Sequence, residues 1–74
     1  MPKAMRTILS GGVALTTREL EVLELLVEGH TNNEIAKTLG IREQTVKDHV
    51  SVLFRKFQVQ RRVALAVAAV RAGL

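Results

Sequence analysis

The sequence predicts an all-α domain of four helices, the second and third forming a helix-turn-helix. Three observations carry this. Two segments open on a Thr followed three positions later by a Glu, which is the pattern of a capping box. Apolar residues then recur at three- and four-residue intervals from Leu15 onward. Finally, residues 32–50 have helix-turn-helix spacing. Ile35, Ala36 and Leu39 share one face of a short helix, and Gly40 stands where a tight turn needs positive φ. Ile41 fills the corner, and Val46 and Val50 lie one turn apart on the next helix. Ala36 is small where two helices must approach closely. Such a motif holds one helix outward, where it can enter the major groove of DNA.

Each element can be justified in turn. Residues 1–14 show no sustained period and contain Pro2, Ser10, Gly11 and Gly12, so they are expected to form a flexible arm or linker. Residues 15–74 are expected to form the domain. The first helix starts at the capping box Thr16–Glu19, with Leu15 and Leu20 placed for a hydrophobic staple. Leu20, Leu23, Leu26 and Val27 make its core stripe, and Gly29 is the expected stop. The second helix is capped by Thr31, carries Glu34 three positions later, and runs to Leu39 before Gly40. So short a connection makes the first two helices packed neighbours.

The third helix is expected over 43–57. Val46, His49, Val50, Leu53 and Phe57 cluster on one side of its wheel, with Phe54 at the edge. Gln44, Lys47, Asp48, Ser51 and Arg55 lie opposite, on the side that would face a groove. Gln58 to Arg61 breaks the pattern and reads as a turn. The fourth helix is expected over 62–72, with Val63, Ala66, Val67 and Val70 toward the core and Leu74 extending the stripe. Its other side, Leu65, Ala68, Ala69 and Ala72, is also apolar. A helix apolar all round is usually buried on more than one face, so these four residues are expected to form a dimer interface. Alanine's ease in exposed helices is the plainer alternative.

Composition bounds the function. At 74 residues the chain is one domain with a modest core. It has no cysteine, so no disulfide framework or thiolate metal site is expected. His30 and His49 lie too far apart in sequence to share a helical turn. No metal, cofactor or catalytic residue is expected. No Gly-rich phosphate loop is present, and no spacing suggests a nucleophile and its base. The first twelve residues hold no apolar run long enough for a signal peptide or membrane span, which points to a cytoplasmic protein. The net charge is +4 and unevenly spread. From Arg18 to Glu34 there are five acids and one base; from Arg42 to Arg62 there are six bases and two acids. A basic half of this kind suits an anionic polymer.

The chain also resembles a known family. The resemblance rests on Leu15-Thr16-x-Arg18-Glu19-x-Glu21-Val22-Leu23, Gly29 and Asn32-x-Glu34-Ile35-Ala36, then on Thr45-Val46-Lys47-x-His49, Lys56, Val59 and Arg62. These residues are similar to the DNA-binding domain of the LuxR family, which includes the output domains of FixJ/NarL-type response regulators. The resemblance covers 15–74, about four-fifths of the chain. It implies a four-helix domain whose third helix reads DNA and whose fourth helix often dimerises. The chain departs from the family pattern at Asn33, Arg42, Phe57 and Gln58. Arg42 replaces the usual Ser or Thr cap of the recognition helix, a loss of about 1 kcal/mol. Phe57-Gln58 replaces a Leu-Gly and puts the following turn in question.

Roles follow from position. Lys47 is the first choice for a DNA contact and matches the family's Lys. Gln44, Asp48 and Ser51 are candidates for base edges. A carboxylate at Asp48 is unfavourable near phosphates unless it accepts from a cytosine amino group. Thr31, Asn32 and Asn33 open the second helix, whose N-terminal amides can hold a phosphate. Arg42, Thr45, Arg55, Lys56 and Arg61 complete the expected phosphate contacts. Glu19 and Arg62 are expected to serve structural hydrogen bonds, and His49 to be a partly buried structural histidine. The expected partners are double-stranded DNA, a second copy of the chain and RNA polymerase. Two other readings stay open. A region-four-like sigma-factor module shares the Leu-Thr-x-Arg-Glu opening, although the apolar fourth helix argues against it. A protein-interaction module that dimerises through helix four would carry a damaged reading face.

Overall fold

The computed structural model describes residues 5–9 and 11–74. It contains four helices, α1 (Thr17–Val27), α2 (Asn32–Leu39), α3 (Glu43–Phe57) and α4 (Arg62–Arg71). Two short strands precede them, β1 (Met5–Ile8) and β2 (Ala14–Thr16). The strands pair antiparallel, with Thr7 opposite Leu15 and Ile8 opposite Ala14. Leu9 N–H donates to the Val13 carbonyl at 2.8 Å and closes the connection. This corrects the arm expected over 1–14, whose described part is largely a paired ribbon running into α1. Two strands this short leave too few residues for a period of two to be legible. Pro2 and Ser10, which supported the arm, lie outside the described residues.

Both expected capping boxes are present. The Thr16 hydroxyl accepts from Glu19 N–H at 3.2 Å, and Glu19 Oε1 accepts from Thr16 N–H at 2.9 Å. The Thr31 hydroxyl and Glu34 do the same at 3.2 and 2.8 Å. Four orphan donors at two helix starts are thereby satisfied. Gly40 ends α2 in the left-handed region, at φ 67°, and Ile41 N–H returns to the Ala36 carbonyl at 3.0 Å. The chain turns there sharply enough for α3 to pack across α2.

One core joins all four helices. It comprises Leu15, Val22, Leu23, Leu26, Ile35, Ala36, Val46, Val50, Leu53, Leu65 and Ala69. The helix-turn-helix residues fall where spacing put them, although Leu39 and Ile41 are only partly buried against this core. In α1, Val22 is wholly buried, whereas Leu20 and Val27 lie at the margin.

Helix α4 is rotated from the expected phase. Leu65 and Ala69 are 0% exposed, whereas Val63, Val67 and Val70 are 75%, 43% and 53% exposed. The expected core stripe is therefore mostly outside, and two of the four expected dimer residues are inside. With no polar side to orient it, α4 is phased by shape. Leu65 is its largest apolar side chain, and burying it gains more than burying a valine.

Candidate nucleic-acid interface

Helix α3 is held by one side and exposes the other. Val46, Val50 and Leu53 are buried, and His49 and Phe57 are half-buried beside them. Gln44, Lys47, Asp48, Ser51 and Arg55 are all exposed on the opposite side, as expected. Arg42 occupies the N-cap and makes no side-chain cap bond, so its guanidinium is left on the surface at the start of α3. Arg61 is likewise exposed, and Thr45 is half-buried.

The exposed side chains of α3 are organised among themselves. Gln44 Nε2 donates to Asp48 Oδ1 at 3.1 Å, one helical turn away. Lys47 Nζ lies 3.8 Å from Glu43 Oε2 in an i,i+4 pair. Asn33 Nδ2, at the start of α2, donates to Glu43 Oε1 at 3.2 Å. Glu43 thus links the two helices of the motif at its exposed edge. Exposed pairs of this kind are weak, about 0–1 kcal/mol each, and can be exchanged for a phosphate or a base edge.

Three expected contacts have structural work instead. Lys56 is turned inward, its Nζ 2.6 Å from Glu19 Oε1 and 2.8 Å from the Ala14 carbonyl. It ties the C-terminal half of α3 to the start of α1 and the end of the ribbon, which removes it from the phosphate set. A mostly buried carboxylate is a stronger attractor than a screened phosphate. Asn32 Oδ1 accepts from Arg62 Nη1 at 2.7 Å, and Arg62 Nη2 donates to the His30 carbonyl at 2.7 Å. The structural reading of Arg62 therefore holds, and the Asn32 side chain serves that clamp rather than a phosphate. Thr31 acts as a cap.

Burial pushes the Glu19 carboxyl up, but the Lys56 bond, the Thr16 amide and the Lys56 charge together outweigh it and hold the group below its ordinary 4.5. Glu34 is also held low, by the Thr31 amide and by His30 nearby. Both carboxylates are negative at neutral pH and hold their caps shut.

A second surface lies on α4. Val63, Val67 and Val70 form an exposed apolar ridge, with a shallow groove on either side. Phe57, Val59 and Ala68 line one groove, and Val27 and Ala66 the other. Ala68 and Ala72 are half-exposed beside the ridge. Sequence reading placed the valines inside; the signal that could have placed them outside was the size of Leu65. No helix among the described residues is long and apolar enough to cross a membrane.

Comparison with known proteins fits this geometry. Residues 13–69 match the family described as bacterial regulatory proteins, luxR family. The nitrate/nitrite response regulator protein NarP of Escherichia coli (strain K12) is 51% identical over 53 residues, which cover 72% of this chain and 25% of NarP. The spore germination protein GerE of Bacillus subtilis (strain 168) is 46% identical over 59 residues, covering 80% of each chain. A structure of Vibrio cholerae VqmA superposes with a TM-score of 0.81 at 35% identity, over 85% of this chain and 28% of VqmA. The chain therefore spans about a quarter of the length of NarP and about four-fifths of that of GerE.

Proposed function

The chain belongs to the luxR family of bacterial regulatory proteins, and from that premise we propose how its helix-turn-helix engages DNA. It is a DNA-binding domain of the kind found in transcriptional regulators, not an enzyme. In our reading, α3 lies in the major groove with Gln44, Lys47, Asp48 and Ser51 toward base edges. Arg42, Arg55, Arg61 and Thr45, with Asn33 at the start of α2, contact the phosphates and fix the register. The observation that carries this is the division of α3 into a buried apolar side and an exposed polar side made of those residues.

We further propose that two copies bind together, joined through Val63, Val67 and Val70 with Ala68 and Ala72 alongside. The exposed ridge supports this, as does the similarity to VqmA, whose structure is described as a dimer that shifts conformation without its target DNA. RNA polymerase is a further partner of the regulator in this reading, and the cytoplasm its compartment.

The test is fluorescence anisotropy of a labelled promoter-DNA pool titrated from low to physiological salt, with Lys47→Ala alongside. Binding should fall steeply with salt, because each neutralised phosphate releases counterions. Lys47→Ala should weaken it about tenfold or more. No binding even at low salt would reject the reading, and equal binding by the variant would remove Lys47 from the interface.

A further inference from the structure

We propose that Gln44 and Asp48 act as one discriminating unit. It demands an amino group at the base it faces, cytosine N4 first and adenine N6 second, and it rejects guanine and thymine. This rests on the reading of α3 as the recognition helix and deepens it.

The geometry begins with charge. Lys47, the sequence neighbour of Asp48, turns to Glu43 instead, and Asp48 forms no ion pair among the described residues. Its one described partner is Gln44, whose Nε2 donates to Oδ1 at 3.1 Å. A carboxylate offers about four acceptor positions, so Oδ2 remains for a donor from outside the protein. The same bond fixes the Gln44 amide. With one Nε2–H held on Asp48, the amide keeps its Oε1 acceptor and its second N–H. Acceptors on Asp48 and Gln44 thus share an exposed helix face, with one Gln44 N–H beside them.

Base chemistry then decides what they accept from. In the major groove cytosine presents its N4 amino group and adenine its N6 amino group beside an N7 acceptor. Guanine presents only N7 and O6, and thymine only O4 and a methyl group. Against either, Asp48 would be desolvated between acceptors and phosphates with only Gln44 donating to it and Oδ2 unmet. Such a mismatch costs more than a good match gains, because an unmet buried charge carries its full desolvation penalty. Asp48 therefore works chiefly by exclusion. It weakens attraction to every duplex and weakens it most where the facing base lacks an amino group.

The experiment is selection from a random-core duplex library by the full chain, by Asp48→Asn and by Gln44→Ala. Anisotropy follows on the duplex selected by the wild type and on versions in which each selected base is replaced singly. Both substitutions are at exposed positions, and unchanged thermal melting confirms the fold. The wild type should fix a cytosine, or less often an adenine, at one position and bind the guanine and thymine versions about tenfold or more weakly. Asp48→Asn should gain most of that factor back on the replaced duplexes and lose the preference at that position alone. Gln44→Ala should leave the preference for an amino group but blunt it. If Asp48→Asn selects the same base with undiminished discrimination, or if the base it frees was guanine or thymine, the discriminating unit is overturned while α3 remains the reader. If the wild type enriches nothing and binds no duplex, the reading of α3 falls, and this inference falls with it.

Discussion

Helices α3 and α4 contain similar numbers of buried apolar positions, yet only α3 wears its orientation in its sequence. In α3 every exposed candidate is polar and every fully buried residue is Val or Leu, so the contrast around the wheel admits one rotation. In α4 the residues from Val63 to Val70 are all Val, Ala or Leu, and the contrast is absent. What orients α4 is instead the burial of one side chain, Leu65, in the core shared with the other helices. Polarity can be read along a chain, whereas the shape of a pocket exists only after the other helices have formed it.

The largest expected effect tests that difference directly. Leu65→Ala should cost about 2–5 kcal/mol of stability, because it empties a fully buried site. A domain of 74 residues has only about 4–11 kcal/mol in total, so the variant should lose a large share of its stability and melt at a markedly lower temperature. Val67→Asp on the neighbouring face should leave the unfolding free energy from urea titration within about 0.5 kcal/mol of wild type. It should instead abolish any dimer seen by sedimentation with DNA. If Val67→Asp unfolds the chain while Leu65→Ala does not, the phase of α4 described above is wrong.

The second comparison sets two adjacent cations on α3 against each other. Arg55 is exposed and Lys56 is turned into the Glu19 carboxylate. Arg55→Ala should leave stability alone and weaken DNA binding uniformly across sequences, with the salt slope lower by about one. Lys56→Ala should cost about 1–3 kcal/mol in urea melts, since Glu19 would stay mostly buried without its cation. The pair also leaves an acid signature. Glu19 has a folded-state pKa held below its ordinary 4.5, so its contribution is fully present above that value. It is lost as pH falls through the lower, folded value. Stability of the wild type should therefore decline on acidification below about 4.5, and Lys56→Ala should decline less steeply over the same range. Equal slopes would show that Lys56 does not hold the carboxyl down.

These pairs also show how much was legible beforehand. The four helices, both capping boxes, the Gly40 turn and the outward face of α3 follow from local rules that need only a few neighbouring residues, and all are present. The inward turn of Lys56 was not legible, since it depends on Glu19 and Ala14, separated from it by 37 and 42 residues. The same holds for Asn32, engaged by Arg62 from 30 residues away. The family pattern does contain Glu19, Lys56 and Arg62 together, and a pattern that combines a buried-helix Glu with a distant Lys is a hint of pairing. The ribbon before α1 was missed for a different reason: its strands are too short to show alternation.

The smallest expected effect concerns the hinge between these two helices. Gln58 follows α3 with φ 57° and ψ 43°, in the left-handed region where an L-residue is strained and glycine is not. Val59 N–H nevertheless reaches the Phe54 carbonyl at 3.0 Å, so the turn is the one a glycine would make. The departure from the family's Leu-Gly at Phe57-Gln58 therefore changes the strain and leaves the shape alone. Gln58→Gly should relieve that strain, offset in part by the greater freedom of glycine in the unfolded chain, for a net gain of up to about 1 kcal/mol. Thermal melting should show a rise of a few degrees, with DNA binding unchanged at the selected site. A loss of stability would mean that the Gln58 side chain contributes more than the strain costs. Altered DNA affinity at equal stability would mean that the angle between reading helix and apolar ridge is itself set by this residue.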